Sequence, residues 1–317
     1  APAVAFGYSS STTPWCSSTP CPQYLLTYTR TLDDRVFFYR TDGTTYERIA
    51  SSLYLYSYNS PTIAYGDGKF VIVYQPRDSV YTSAQNSKRL RYAVSSSGAY
   101  WSTGYVSVSG STLTSYNRPA LAYNEEQERF HLVFSQYDYD DNVDGCICTA
   151  DYRESGGSWS WGSLNCNSTC TTYQGASDPS DNEYRTMGTF SVACNDENEC
   201  NVVFPNVDGG NMLTTLGGAY ISFFFDCLVY SMTTQQLGDY EVSGSAMTWN
   251  SYRDDFLLAF RGFWADPLAS LRTRKNDCAG VSCPWYDYQT ESVSILREVS
   301  VTYSDIWNEY TLWYITR

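Results

Sequence analysis

The chain has 317 residues, enough for one large domain, and carries 34 acidic against 20 basic side chains for a formal charge of −14. That balance excludes nucleic acid and anionic membrane surfaces, which need basic patches, and favours a cationic partner, a neutral glycan or bound cations. The 30 Tyr, 14 Phe and 9 Trp suit half-buried strands. No segment shows a long helical period or an apolar run of membrane-spanning length, so neither helices nor membrane insertion are expected.

Taken in order, residues 2–6 form a short strand-like run completed as a hairpin only at residues 24–28, after an insertion that holds Cys16 and Cys21. A third strand at 35–39, the turn Thr41-Asp42-Gly43-Thr44 and a fourth strand near 46–56 complete a first unit. The second unit opens with SYNSPTIAYGDGKFVIVY at 57–74: a lead-in, a short alternating run, a polar turn and a second alternating run. Its third strand is expected at 89–94, followed by a Ser/Gly turn and Trp101. The third unit repeats the plan as SYNRPALAYNEEQERFHLVF at 115–134, with a third strand near 146–152 and a Gly-Gly turn before Trp159. Looser copies of the hairpin start at Ser191, Ser245 and Ser300.

Val4, Ile63, Leu121, Val192, Met247 and Val301 are equivalent positions in these copies, separated by 59, 58, 71, 55 and 54 residues. Each interval holds one four-stranded sheet. A hairpin recurring at this period predicts an all-β fold, a β-propeller of about six blades. The expected division is one domain over 1–317, with repeats at about 1–59, 60–117, 118–186, 187–242 and 243–297 and a two-stranded half repeat at 298–317. The half repeat leaves an open edge near residues 310–315, which predicts self-association through it.

Eleven cysteines and a single histidine favour disulfides over zinc and point to an oxidising compartment. Cys194 and Cys200 face each other across one hairpin. Cys16/Cys21 and Cys278/Cys283 are close pairs within loops, and Cys148 pairs with either Cys166 or Cys170. The odd count leaves one thiol free or paired outside the chain. Ala1 reads as a mature N-terminus after removal of an export signal, and Asn167-Ser168-Thr169 is a glycosylation sequon.

The turns between third and fourth strands, small polar residues with Gly followed by an aromatic, resemble degenerate Asp-boxes of sialidase-like (BNR-repeat) propellers. Asp42-Gly43 is the nearest to that pattern. The resemblance implies a propeller fold and no activity, since the Asp-box is structural in that family.

Two sets of loops open on one face of a propeller, and a glycan site around the central channel is expected there. The lead-ins would supply Asn59, Asn117, Arg118 and Arg185. The loops between second and third strands would add Arg77, Asp208, Arg261, Trp264 and Asp266. Aromatic faces stack on sugar rings, while carboxylates, amides and Arg bond hydroxyls. The residues at the mouths of the inner strands, Ser60, Arg118, Gly188, Gly244 and Val299, include no carboxylate for glycoside hydrolysis. His131, alone of its kind, sits inside a strand and is expected to be structural. Residues 140–151 match D-x-[DN]-x-[DN]-G with a carboxylate at the twelfth position. Asp140, Asn142, Asp144, the Cys146 carbonyl and Asp151 are therefore candidate Ca²⁺ ligands. The resulting expectation is a secreted or cell-surface propeller acting as a binding, adhesive or surface-assembly module for glycans or an extracellular protein. The second reading is a carbohydrate-active enzyme, a sialidase-like hydrolase or a lyase.

Overall fold

The structure is a computed structural model that describes residues 2–30, 32–49, 55–57, 59–77, 88–115, 118–136, 146–166, 190–196, 199–207, 214–222, 240–263, 270–276, 286–294 and 299–314. For 146–147, 199, 203–207, 214–222, 240–244, 260–263, 270–276 and 286–294 it describes the backbone alone.

The described strands are antiparallel and fall into six blades. Blade one is β1 (Pro2–Ser9), β2 (Cys21–Thr29), β3 (Val36–Thr41) and β4 (Tyr46–Arg48). Blade two is β5 (Thr62–Gly66), β6 (Lys69–Tyr74), β7 (Arg91–Ser95) and β8 (Ser102–Tyr105), followed by the small hairpin β9 (Ser107–Val108) and β10 (Ser111–Thr112). Blade three is β11 (Ala120–Asn124), β12 (Arg129–Gln136), β13 (Cys146–Ser155) and β14 (Ser158–Cys166). Blade four shows β15 (Ser191–Cys194), β16 (Glu199–Val207) and β17 (Thr214–Ser222) among the described residues. Blade five is β18 (Tyr240–Asn250), β19 (Asp255–Phe263), β20 (Ser270–Asn276) and β21 (Tyr286–Ser294). Blade six is the pair β22 (Ser300–Ser304) and β23 (Glu309–Trp313). Sheets four and five join through a single bridge, Thr215 to Tyr240, because β18 begins beside β17 before its register shifts between Glu241 and Ser245.

The inner strands β1, β5, β11, β15, β18 and β22 neighbour one another in sequence, and β22 closes the ring on β1. The packing follows from the repeat. The large equivalent residue of one blade meets the small residues flanking its counterpart in the blade before. Ile63 joins Ala3 and Ala5, Leu121 joins Ala64, Val192 joins Ala120 and Ala122, and Val301 joins Ala246. Large-against-small alternation lets six strands approach a common axis without voids. At the closing seam the inner edge of β1 also needs acceptors for its N–H groups. Ser300 Oγ accepts from Val4 N (3.1 Å) and Thr302 Oγ1 from Phe6 N (3.3 Å). Thr248 Oγ1 does the same for Tyr303 N (3.2 Å) one blade earlier.

The turns between first and second strands share a mechanism as well. A polar side chain three positions after the equivalent residue caps the turn: Asn124 Oδ1 accepts from Gln127 N (2.9 Å), and Asn250 Oδ1 from Tyr252 N and Arg253 N (both 3.0 Å). The residue entering the second strand is then left-handed, at φ 51° for Glu128, 57° for Asp254 and 48° for Asn308. The Asp-box-like turn of blade one is built around Asp42, whose Oδ1 accepts from Thr44 N (2.9 Å) and Thr45 N (2.7 Å) while Gly43 takes φ 97°. In blade two, Trp101 packs back over its turn, donating from Nε1 to Gly98 O (3.0 Å) and lying 5.2 Å from Phe38 of blade one. Strand β4 is shorter than the 46–56 expected: Leu55 instead accepts from Val36 N (2.9 Å), with residues 50–54 outside the described set.

Three disulfides are present among the described residues: Cys16–Cys21, Cys148–Cys166 and Cys194–Cys200. Cys148 and Cys166 lie opposite each other in the β13–β14 register, which settles the choice in favour of Cys166 over Cys170. Cys278 and Cys283 lie outside the described residues. Replacing Cys194 and Cys200 together by Ser should lower unfolding stability by about 2 kcal/mol through the lost loop constraint, read from urea denaturation midpoints. An unchanged midpoint would show that the turn holds its hairpin without the staple.

Blade six is clasped from both sides. Tyr310 hydroxyl donates to buried Asp255 of blade five, and Thr311 Oγ1 lies 2.9 Å from Tyr24 hydroxyl of blade one. Trp313 meets Tyr46 edge-on at 6.0 Å.

Candidate functional site

On the loop face, side chains expected to line a funnel serve largely to join blades. Asn59 Nδ2 donates to Gln75 Oε1 (2.6 Å), and buried Gln75 passes the link on, Nε2 to Ser115 O (2.6 Å). The repeated Ser of the lead-in makes the same bridge in two blades, Ser57 to Pro76 and Ser115 to Gln136. Arg77 ion-pairs with Asp34 of blade one. Its neighbour Asp33 is held by Arg30 (Nε to Oδ1, 2.8 Å), which lowers that carboxyl to about 2. Arg118 is half-buried in the channel wall and donates from Nη2 to Pro61 O (3.0 Å). Arg261 stands in β19 opposite Leu271, with only its backbone described. Asn117, Arg185, Asp208, Trp264 and Asp266 lie outside the described residues.

Most of the Ca²⁺-type ligand set cannot be placed from the described residues. Asp140, Asn142 and Asp144 are outside the described residues, and Cys146 starts β13 opposite Gln136. Asp151 lies five residues further along that extended strand, about 16 Å away at roughly 3.3 Å per residue. It is buried there, with Oδ2 3.0 Å from Arg129 Nη1 and 3.8 Å from Arg153 Nε. Asp151 is thus the anchor of two guanidinium groups. His131, directly across from Asp151, is fully buried, and burial together with Arg129 pushes its imidazole down to about 3.

The Arg pair opens on a pocket of about 370 Å³ on the hairpin side of blades two and three. Its rim carries Asp67 on the β5–β6 turn, Gln127 and Glu128 on the β11–β12 turn, and Glu154 at the end of β13. The Gly156-Gly157 turn (φ 61° and 83°) brings β14 straight back, which places Trp159 opposite Glu154. Trp159 is braced by Tyr152 at 5.1 Å and Phe130 at 5.9 Å, while Lys69 Nζ lies 4.5 Å over its ring and 2.6 Å from Asp67 Oδ2. Donors in a fixed fork, acceptors and an indole wall thus meet in one concavity. The sequence reading missed it because its parts come from three different turns. Their only advance signal was the aromatic after each Gly turn, read there as a scaffold.

A second cavity, of about 400 Å³, is the central channel walled by the six inner strands. Arg118 lies toward its loop-face end. Tyr65, Tyr123, Trp249 and Tyr303 line the hairpin end, with Glu125, Asp196 and Asp305 one step beyond them.

No protein-family model matches the sequence, and no curated protein does either. Solved structures do match. The six-bladed β-propeller lectin of the fungus Aleuria aurantia, described for its mode of fucose recognition, aligns with a TM-score of 0.57 at 8% identity, over 99% of this chain and 88% of that one. A variant of that lectin in complex with Fucα1-6GlcNAc aligns at 0.56 and 10% identity over the same shares. The GH32 β-fructofuranosidase BmSUC1 of Bombyx mori aligns at 0.52 and 13% identity, over 93% of this chain and 65% of that one. At such identities the likeness is one of architecture, and it agrees with the strand order: the chain folds as a six-bladed β-propeller.

Proposed function

We propose that the protein is a carbohydrate-binding propeller and that the pocket between blades two and three holds a sugar unit. The observation that carries this reading is the arrangement around Trp159. Arg129 and Arg153 are oriented by buried Asp151, Glu128 and Glu154 supply acceptors, and the indole supplies an apolar wall. Sugars present that same mixture of hydroxyls and C–H faces, and the pocket volume lies within the range of small-ligand sites. Fold-wide likeness to a lectin known for fucose recognition supports the same reading. The three disulfides support an oxidising, extracellular setting.

A glycan array followed by calorimetry on the retained sugar tests the proposal. Trp159→Ala and Arg153→Ala should each weaken binding by about tenfold or more; Arg153→Ala should keep its thermal midpoint near wild type, whereas Trp159→Ala also loses packing on Tyr152 and Phe130. Wild-type affinity in both variants would remove this pocket from the proposal. Turnover of chromogenic glycosides by the wild-type protein would replace a binding role by an enzymatic one.

A further inference from the structure

Blade six is two strands deep where both its neighbours are four. Among the described residues β22 and β23 form a sheet of their own, while blade one carries β3 and β4, and blade five β20 and β21, beyond that depth. At about 4.8 Å per strand the neighbours stand roughly 10 Å beyond β23, and a slot opens between them. Its floor is the outer edge of β23. Alternate residues of an antiparallel pair bond the partner strand and those between turn N–H and C=O away, so the floor is a row of backbone donors and acceptors.

The complete seams show what normally fills such a place. Blade three turns Tyr152 and Trp161 of its outer strands toward blade two, and both are buried there because Tyr92 of β7, a third strand, covers them at 5.3 and 5.7 Å. Phe38 of β3 does the same for Trp101 of blade two at 5.2 Å. The two covering rings are equivalent, since Phe38 stands opposite Thr27 and Tyr92 opposite Val73. In blade six that second-strand position is Trp313, and among the described residues no third strand runs beside it. Blade one nevertheless presents the face to be covered. Tyr28 stacks on Phe37 (5.6 Å) and on Tyr39 (6.0 Å), and register puts Tyr46 and Arg48 on the same side. The three stacked rings are half-buried, while Tyr46 is 57% exposed and Arg48 is exposed.

We propose that the slot takes a β-strand from a second polypeptide, paired to β23, with an aromatic residue toward blade one and a carboxylate for Arg48. The nearby charges single out Arg48. Arg30 and Arg40 are held by Asp33 and Glu47, Asp42 is spent on its own turn, and Glu309 accepts from the Tyr24 hydroxyl at 3.5 Å. Arg48 lies 4.7 Å over the Phe37 ring, with no carboxylate in ion-pair distance among the described residues. The undescribed residues that adjoin the blade-six pair in sequence, 295–298 and 315–317, number four and three, too few to turn back along the five residues of β23. A second copy carries its own β23 at the base of the same recess, so the flanking blades of both copies obstruct edge-to-edge pairing. A free strand meets no such obstacle and gains both the backbone pairing and the ring face. The surface is independent of the sugar pocket in location and in ligand chemistry.

Panning random twelve-residue phage-displayed peptides over the immobilised full chain tests it, with enriched peptides resynthesised and followed by fluorescence anisotropy. They should share an aromatic and an Asp or Glu at even spacing, and bind with a Kd of about 100 μM or tighter. Arg48→Glu, at an exposed position, should weaken them about tenfold, and replacing the peptide carboxylate by Lys should restore binding to that variant. N-methylation of one alternate set of peptide amides should abolish binding while the other set is tolerated, the signature of pairing along one edge. No enrichment over the bare support, equal binding to Arg48→Glu and wild type, or equal tolerance of both methylated sets would each overturn the proposal. A micromolar dimer in sedimentation that Arg48→Glu dissolves would put a second copy in the slot and overturn it too.

Discussion

Replacing Gly66 by alanine is expected to destabilise the protein by about 3 kcal/mol or more, a large fraction of the total for a single domain. Gly66 ends β5, and the Tyr123 ring of the next blade lies on its backbone. A Cβ there would stand 2.0 Å from Tyr123 Cγ, at the root of the ring, where spinning it about Cβ–Cγ gives no relief. Tyr123 is also held from behind by Phe130 at 4.8 Å, so relief must come from separating the blades. Gly68→Ala is the internal control: its φ of +67° is costly for alanine, but nothing lies within 4 Å, so only about 1 kcal/mol should be lost. Urea midpoints for the two variants and for Gly66→Ala combined with Tyr123→Ala decide the matter. The double variant should be less destabilised than the sum of its parts, because removing the ring removes the clash. Equal losses at Gly66 and Gly68 would mean that the ring does not rest on the strand. Gly7 makes the same contact with Tyr65, 2.2 Å from its Cγ, so the effect should recur one blade earlier.

Acid should unfold the protein in part through His131. Burial and the neighbouring Arg129 hold its imidazole near 3, against about 6.5 in an unfolded chain. Between those values the unfolded chain binds a proton that the folded protein refuses. The contribution is therefore fully present above about pH 6.5 and is lost as pH falls toward 3, amounting to about 3 kcal/mol by pH 4. The informative quantity is the difference between variant and wild type. The stability of His131→Leu, followed from pH 7 to pH 4, should slope less steeply than wild type by about one proton. Parallel slopes would show that His131 does not gate acid unfolding.

Much of the architecture was legible because it rests on local rules. Alternating runs around a polar turn specify a hairpin, and a hairpin at steady spacing specifies blades. The positions of Val4, Ile63, Leu121, Val192, Met247 and Val301 therefore marked the inner strands before any contact was known. The Cys194–Cys200 staple was legible for the same reason, since its partners are set by one turn. The pocket was not. Ser57 and Asn59 stood out because they recur with Ser115 and Asn117, and Asn59 turned out to be bonded to Gln75. Recurrence reports what every blade needs, which is scaffold; Trp159 recurs as the aromatic after a Gly turn and so read as scaffold, while Glu154 belongs to one interblade pocket and carries no periodic signal. Asp151 was legible only as part of a sequence pattern; its place in β13 and its pairing with Arg129 and Arg153 come from strand register across the blade.

From its sequence alone this protein is a ring of hairpins, since side-chain period, turn chemistry and repeat length are properties of neighbours along the chain. Only the tertiary structure decides which groups meet. Closing β22 on β1 carries Tyr303 and Asp305 to the channel mouth shared with Tyr65 and Glu125, some 180 to 240 residues earlier in the chain. Packing blade two on blade three likewise sets Lys69 and Asp67 beside Trp159. Those meetings depend on distances between blades, which small residues such as Gly66 and Ala122 set through space and not along the chain.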